Sequence, residues 1–145
     1  MKQAHKVIQD IFLEWGKRQG YLVRREFSQT LPTDGIWIDN KDLFNLNAPY
    51  AAIEVLASEK GKVILGSINT LERVSPSIAI LVMQDKVLER RLLKKQLPMQ
   101  EIENEVNSQF EKIKKAVEKS TQRFLVWKTG ALIAHGSEKG VSYNV

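Results

Sequence analysis

The chain contains no cysteine. Disulfides and thiolate metal sites are therefore excluded, and a reducing compartment, the cytoplasm, is the expected setting. Histidine is almost as scarce. The two residues, His5 and His135, lie far apart and lack the spacing and the third nitrogen or sulfur ligand of a zinc site. Long hydrophobic runs are missing as well. The longest, residues 78–83, falls far short of the roughly 20 apolar residues of a membrane helix, so no membrane partner is expected. The segment from Met1 to Lys6 leads into an amphipathic stretch, without the continuous apolar core and small-residue cleavage site of a leader peptide. Nucleotide and hydrolase signatures are absent too. Gly61-Lys62 lacks the upstream glycine and the following Ser or Thr of a phosphate-binding loop, and no Gly-x-Ser-x-Gly elbow occurs.

What is present fits one domain. The 145 residues are 43% hydrophobic, enough for a single core spanning 1–145. A net charge of +5 is compatible with a nucleic-acid partner without specifying one. Ala4, Val7, Ile8, Ile11, Phe12 and Trp15 recur at helical spacing, predicting a helix over 2–19 that Gly20 releases. A β-prone stretch follows at 21–27, then turn chemistry at Pro32-Thr33-Asp34-Gly35, a short strand at 36–38 and a loop at 40–49. Residues 50–57 form an apolar run holding one carboxylate, Glu54. Ile64, Ile68 and Leu71 mark a helix ended near Ser75-Pro76. Residues 78–83 then read as a strand buried on both faces. Strand, helix and buried strand make a parallel crossover unit. A charged helix is expected over 85–96. A longer one from 100 to about 120 carries Ile102, Val106, Phe110, Ile113 and Val117 in one stripe. Residues 124–127 and 131–134, flanking Thr129-Gly130, predict a hairpin, and the last ten residues are expected to be loose. The fold class is α/β: a mixed central sheet of four or five strands with helices on both faces.

Chemistry concentrates between Arg24 and Glu54. Glu26 stands near the end of the first strand, Asp34 opens the second, and Glu54 sits inside the third between Ile53 and Val55. Burying an ionised carboxylate in an apolar strand is costly unless something pairs with it. A divalent cation bound by oxygen ligands would remove that conflict. Each residue also has a plainer reading: Asp34 as a turn former, Glu54 as half of a salt bridge to Arg24, Arg25 or a lysine, and Glu26 as an exposed strand residue. Asp39, on the opposite strand face from Asp34, belongs to the loop.

The stretches Tyr21-Leu-Val-Arg-Arg-Glu26, Pro32-Thr33-Asp34-Gly35-Ile36-Trp37-Ile38 and Ala52-Ile53-Glu54-Val55-Leu56, with the helix before them and the helix and strand after, resemble the PD-(D/E)XK, or restriction-endonuclease-like, nuclease superfamily. The resemblance covers residues 1–84. Residues 85–122 read as a helical elaboration, and 123–135 as the terminal hairpin. It implies a DNA endonuclease or phosphodiesterase in which Asp34 and Glu54 hold Mg2+ or Mn2+ and Glu26 assists. The bound metal would polarise the scissile phosphate and lower the pKa of a water. The family's lysine two places after the Glu is Leu56 here, on the same strand face as Glu54. Lys60 or Lys62, at the start of the next helix, would have to supply that charge. Otherwise the domain is a catalytically inactive nuclease-like module that binds nucleic acid or a protein.

Lys86, Arg90, Arg91, Lys94 and Lys95 are candidate contacts to a nucleic-acid backbone, and equally a solvated helix face. His5, one position from the apolar stripe, reads as a flanking surface residue within reach of a phosphate. Trp15 and Trp127 read as core, and Trp37 as core or stacking platform. The helix beyond residue 100 would pack on the core or on a second copy in a homodimer.

Overall fold

The computed structural model describes residues 2–28, 31–41, 43–44, 46–56 and 60–137. Along them run α1 (Lys2–Arg18), β1 (Leu22–Arg24), β2 (Gly35–Asp39), β3 (Ala48–Leu56), α2 (Gly61–Val74), β4 (Ile78–Met83), α3 (Asp85–Lys94), α4 (Met99–Val117), β5 (Phe124–Lys128) and α5 (Thr129–Gly136). The five strands form one mixed sheet in the order β1-β2-β3-β4-β5. β1, β2 and β3 pair antiparallel, whereas β4 lies parallel to β3 and β5 parallel to β4. Each parallel step is bridged by helix, as a crossover requires.

Alternation along the strands divides the core into two layers. Ile36, Ile38, Ala52, Leu56, Ala79, Leu81 and Met83 face α2, α3 and α4. Trp37, Ala51, Ile53, Val55, Ile80 and Val82 face α1 and α5. The central strands β3 and β4 are buried on both faces, which is why 78–83 reads as an unbroken apolar run. In α4, Ile102, Val106 and Ile113 are buried against the first layer, so that helix covers the core of its own chain.

Two glycines set how closely α1 approaches the sheet. A Cβ on Gly35 would lie 2.8 Å from Phe12 Cδ1, and one on Gly16 would lie 2.5 Å from Trp37 Nε1. Their absence lets Phe12 stack on Trp37 with ring centroids 4.9 Å apart. It also lets the Trp37 indole donate to the Phe12 carbonyl at 2.9 Å. Trp37 is 5% exposed, which makes it core rather than a stacking platform.

The terminal hairpin does not form. Residues 131–134 lie in α5, and β5 joins the sheet as a parallel edge strand beside β4. Four apolar residues are too few for periodicity to separate helix from strand. The deciding pattern is wider: Thr129, Leu132 and Gly136 are all buried, at spacings of three and four. Asp85 reinforces it by accepting the Thr129 N–H at 3.0 Å, satisfying one of the free donors of the helix start. β1 is shorter than the β-prone stretch 21–27 from which it arises. β3 begins earlier than residue 50, with Pro49 near its first residue, where a missing donor is tolerated, and a register shift at Trp37/Ile38 opposite. Ala57 and the terminal residues 138–145 lie outside the described residues. Among the described residues no helix is long and apolar enough to cross a membrane.

Candidate active site

Strand direction brings the two central acids together. β3 and β4 are parallel, so their C-terminal ends adjoin, and the antiparallel β2 starts at that same end. The register pairs Gly35 with Ile53, which sets Asp34 opposite Glu54 one step further along the ladder. Glu54 shares the sheet face of Ala52, and Asp34 lies at the end of the sheet just before β2. The Asp34 N–H donates to the Ile53 carbonyl at 3.1 Å. The Asp34 Oδ2 atom accepts the Val55 N–H at 2.7 Å. The side chain thus continues the ladder where the strand begins, and the turn-forming role of Asp34 and its place in the site are one geometry.

The Glu54 side chain is half-buried and lies beside that of Asp34, whose charge and hydrogen-bonding groups act on it. Two neighbouring carboxyl groups share a proton more readily than they both ionise. Burial is the largest influence on Glu54. The hydrogen bond and the negative charge of Asp34 add to it, and a backbone hydrogen bond from Asp34 partly offsets it. Together they push the Glu54 carboxyl up from 4.5 to about 9. Paired titratable groups of this kind are a mark of functional sites.

Helix α1 supplies further polar groups that the periodicity of its apolar stripe does not reveal. His5 Nε2 lies 3.2 Å from Asp34 Oδ1, and Gln9 Nε2 donates to the Asp34 carbonyl at 2.9 Å. Arg25 in turn donates to Gln9 Oε1 at 2.8 Å and to Asp10 Oδ1 at 2.9 Å. The Arg25 carbonyl accepts the hydroxyl of buried Thr33 at 2.9 Å. The sequence signal for this arrangement is the spacing of four between His5 and Gln9, which puts them on one helix edge beside Ile8 and Phe12.

The remaining sequence candidates are placed as follows. Glu26 is exposed, beyond the last β1–β2 pair, Arg24 with Ile36, and has no hydrogen bond or ion pair to Asp34 or Glu54 among the described residues. Lys60 and Lys62 are exposed at the start of α2, just beyond the C-terminal end of β3. Leu56 is 3% exposed and packed in the α2-facing core. Asp39 accepts the Lys41 N–H at 3.0 Å in the turn after β2. Lys86, Arg90, Arg91 and Lys94 lie along α3, and Lys95 ends it, all exposed. Lys86 is paired with Glu89 at 3.5 Å.

Among the described residues no three His, Asp or Glu side chains gather about a common point fit for a metal ion. The acids that neighbour each other at the end of β3 are Asp34 and Glu54. Such a pair suits Mg2+, which takes one or two carboxylates and keeps several waters. The proton held by Glu54 is what a cation between the two groups would replace. Against family models, curated proteins and solved structures alike, the chain finds no match.

Proposed function

We propose that the chain is a metal-dependent DNA phosphodiesterase of the PD-(D/E)XK type, with Asp34 and Glu54 as the cation-holding pair. One observation carries this reading: two carboxyl groups from neighbouring strands meet at the C-terminal end of β3, one of them held protonated up to about pH 9. The element order α1-β1-β2-β3-α2-β4 and the acids' positions, Asp34 just before β2 and Glu54 on β3, support the resemblance drawn from the sequence. Mg2+ or Mn2+ bound there would polarise the scissile phosphate and lower the pKa of an attacking water. The protein's part is to hold the two carboxylates on rigid strands. Asp34 is fixed by the Val55 N–H and by Gln9.

Leu56 favours a second reading, a binding module without turnover. Its side chain is buried in the core, so no ammonium stands where the family's lysine would.

The deciding experiment incubates purified protein with plasmid and branched DNA in Mg2+, Mn2+ or chelator, beside Asp34→Asn and Glu54→Gln. These substitutions keep the side-chain shape while removing the ability to ionise. Metal-dependent cutting by the wild type, abolished in both variants, supports the enzyme. DNA binding without cutting, unchanged in both, supports the module. Absence of both cutting and DNA binding at low salt defeats the nuclease reading and leaves a protein-binding role.

A further inference from the structure

We infer that His5 is a further catalytic residue of this site: its imidazole donates a hydrogen bond to a non-bridging oxygen of the scissile phosphodiester, the contact that Leu56 cannot make. The inference rests on the phosphodiesterase reading.

The charge balance at the site calls for such a donor. Two ionised carboxylates and one phosphodiester carry three negative charges, and a single dication carries two positive ones. A hydrogen-bond donor aimed at the phosphate offsets the remainder, and it is strongest where water is partly excluded. His5 is a basic side chain in contact with Asp34, through Nε2 at 3.2 Å from Oδ1. The imidazole therefore stands at the edge of the acid pair. The His5 side chain is 31% exposed and that of Asp34 21% exposed, so a ligand arriving from solvent meets both.

The helix is also anchored where the contact needs it. Ile8, Ile11 and Phe12 are buried beneath α1. Gln9, one turn from His5, donates to the backbone of Asp34 itself. A donor on a packed helix keeps its aim. Lys60 and Lys62 instead stand exposed at the start of α2.

The test uses the full chain with Mn2+ as the cation and a plasmid as substrate. His5→Ala and His5→Gln are compared with wild type for turnover, for Mn2+ affinity by calorimetry and for thermal midpoint. If His5 contacts phosphate, His5→Ala lowers turnover about 100-fold while Mn2+ affinity and thermal midpoint hold. His5→Gln, whose amide nitrogen stands near the Nε2 position, recovers part of the loss. If His5 only supports Asp34, Mn2+ affinity falls about 10–100-fold with turnover in step, and the inference is overturned. Equal turnover in His5→Ala and wild type overturns it too, leaving the phosphodiesterase reading intact. A wild type that cuts nothing in Mn2+ or Mg2+, or a Glu54→Gln variant that cuts normally, removes the reading and the inference together.

Discussion

One oxygen of Asp34 is engaged by the Val55 N–H at 2.7 Å and the other faces His5, so this residue works in the fold as well as in the proposed site. Asp34→Ala leaves the Val55 N–H without its acceptor and is expected to cost about 1–3 kcal/mol of stability, read from urea unfolding in chelator. Asp34→Asn keeps an acceptor and is expected to unfold near the wild-type midpoint; equal losses in the two variants would contradict this role for the Oδ2 atom. Glu54 gives the pH prediction. The folded side chain keeps its proton to about pH 9, whereas the unfolded one releases it near 4.5. Across that window the folded state binds more protons, so the stabilisation, complete at the acidic end, is lost as pH rises toward 9. In chelator the urea midpoint of the wild type should fall more steeply over this range than that of Glu54→Gln, which does not titrate there. Mn2+ at about one hundred times its Kd should restore about 2.7 kcal/mol to the wild type at alkaline pH and none to Glu54→Gln. Matching pH slopes in the two proteins would refute the shared proton. The order of Asp34 and Glu54 along the chain and their strand settings were legible in the sequence, because period-two alternation assigns a face to each residue. The parts played by His5 and Gln9 were not, since a helix stripe says which residues are buried and nothing about what its polar edge meets across the sheet.

Among the elements, α1 and α5 show where local pattern is enough and where it is not. The stripe of α1 is long enough to fix helix and buried face together, and Ile8, Ile11 and Phe12 are buried as that stripe requires. α5 is short, and its Thr129-Gly130 start has the composition of a turn. What makes it a helix is tertiary: Asp85, 44 positions earlier, accepts the Thr129 N–H. Gly136 lets the chain close on Trp15, where a Cβ would come within 2.9 Å of the ring. Neither contact leaves a trace in a window of ten residues. Asp85→Ala leaves that buried N–H unpaired and should destabilise by about 1–3 kcal/mol, with proteolytic nicking appearing first at the β5–α5 junction. Nicking elsewhere would show that Asp85 does not hold the helix. After α3, Gln96 adopts φ 59, a left-handed conformation in which a side chain is strained and glycine is not. Gln96→Gly should therefore stabilise by on the order of 0.5–1 kcal/mol, and Gln96→Ala should not; a higher thermal midpoint for the alanine variant would refute this.

Over the whole molecule, the C-terminal ends of the parallel strands collect both the acids and positive charge. α2 starts there with Lys60 and Lys62, and α3 begins two residues after Met83, the register partner of Leu56. Lys86, Arg90 and Lys94 step by four along α3, opposite the buried Leu88 and Leu92, so the stripe faces solvent on a helix that starts just beyond the C-terminal end of β4. On the proposed function, this stripe is the candidate surface for a phosphate backbone, which the acid pair alone would repel. The net charge of +5 attracts any polyanion, so the existence of binding does not identify the surface. Its salt dependence does, because each phosphate neutralised contributes about 0.9 to the slope of log K against log salt for duplex DNA. Neutralising Arg90 and Lys94 to Gln should lower that slope by close to two such contributions, measured by fluorescence anisotropy of a labelled duplex. Arg90 and Lys94 are exposed, so their replacement should leave the thermal midpoint near that of wild type. The same change at Lys115, exposed on α4, serves as the control and should leave the slope in place. If the α4 variant lowers the slope and the α3 variant does not, the nucleic acid lies across α4. The acid pair would then be separated from the strand it is proposed to cut.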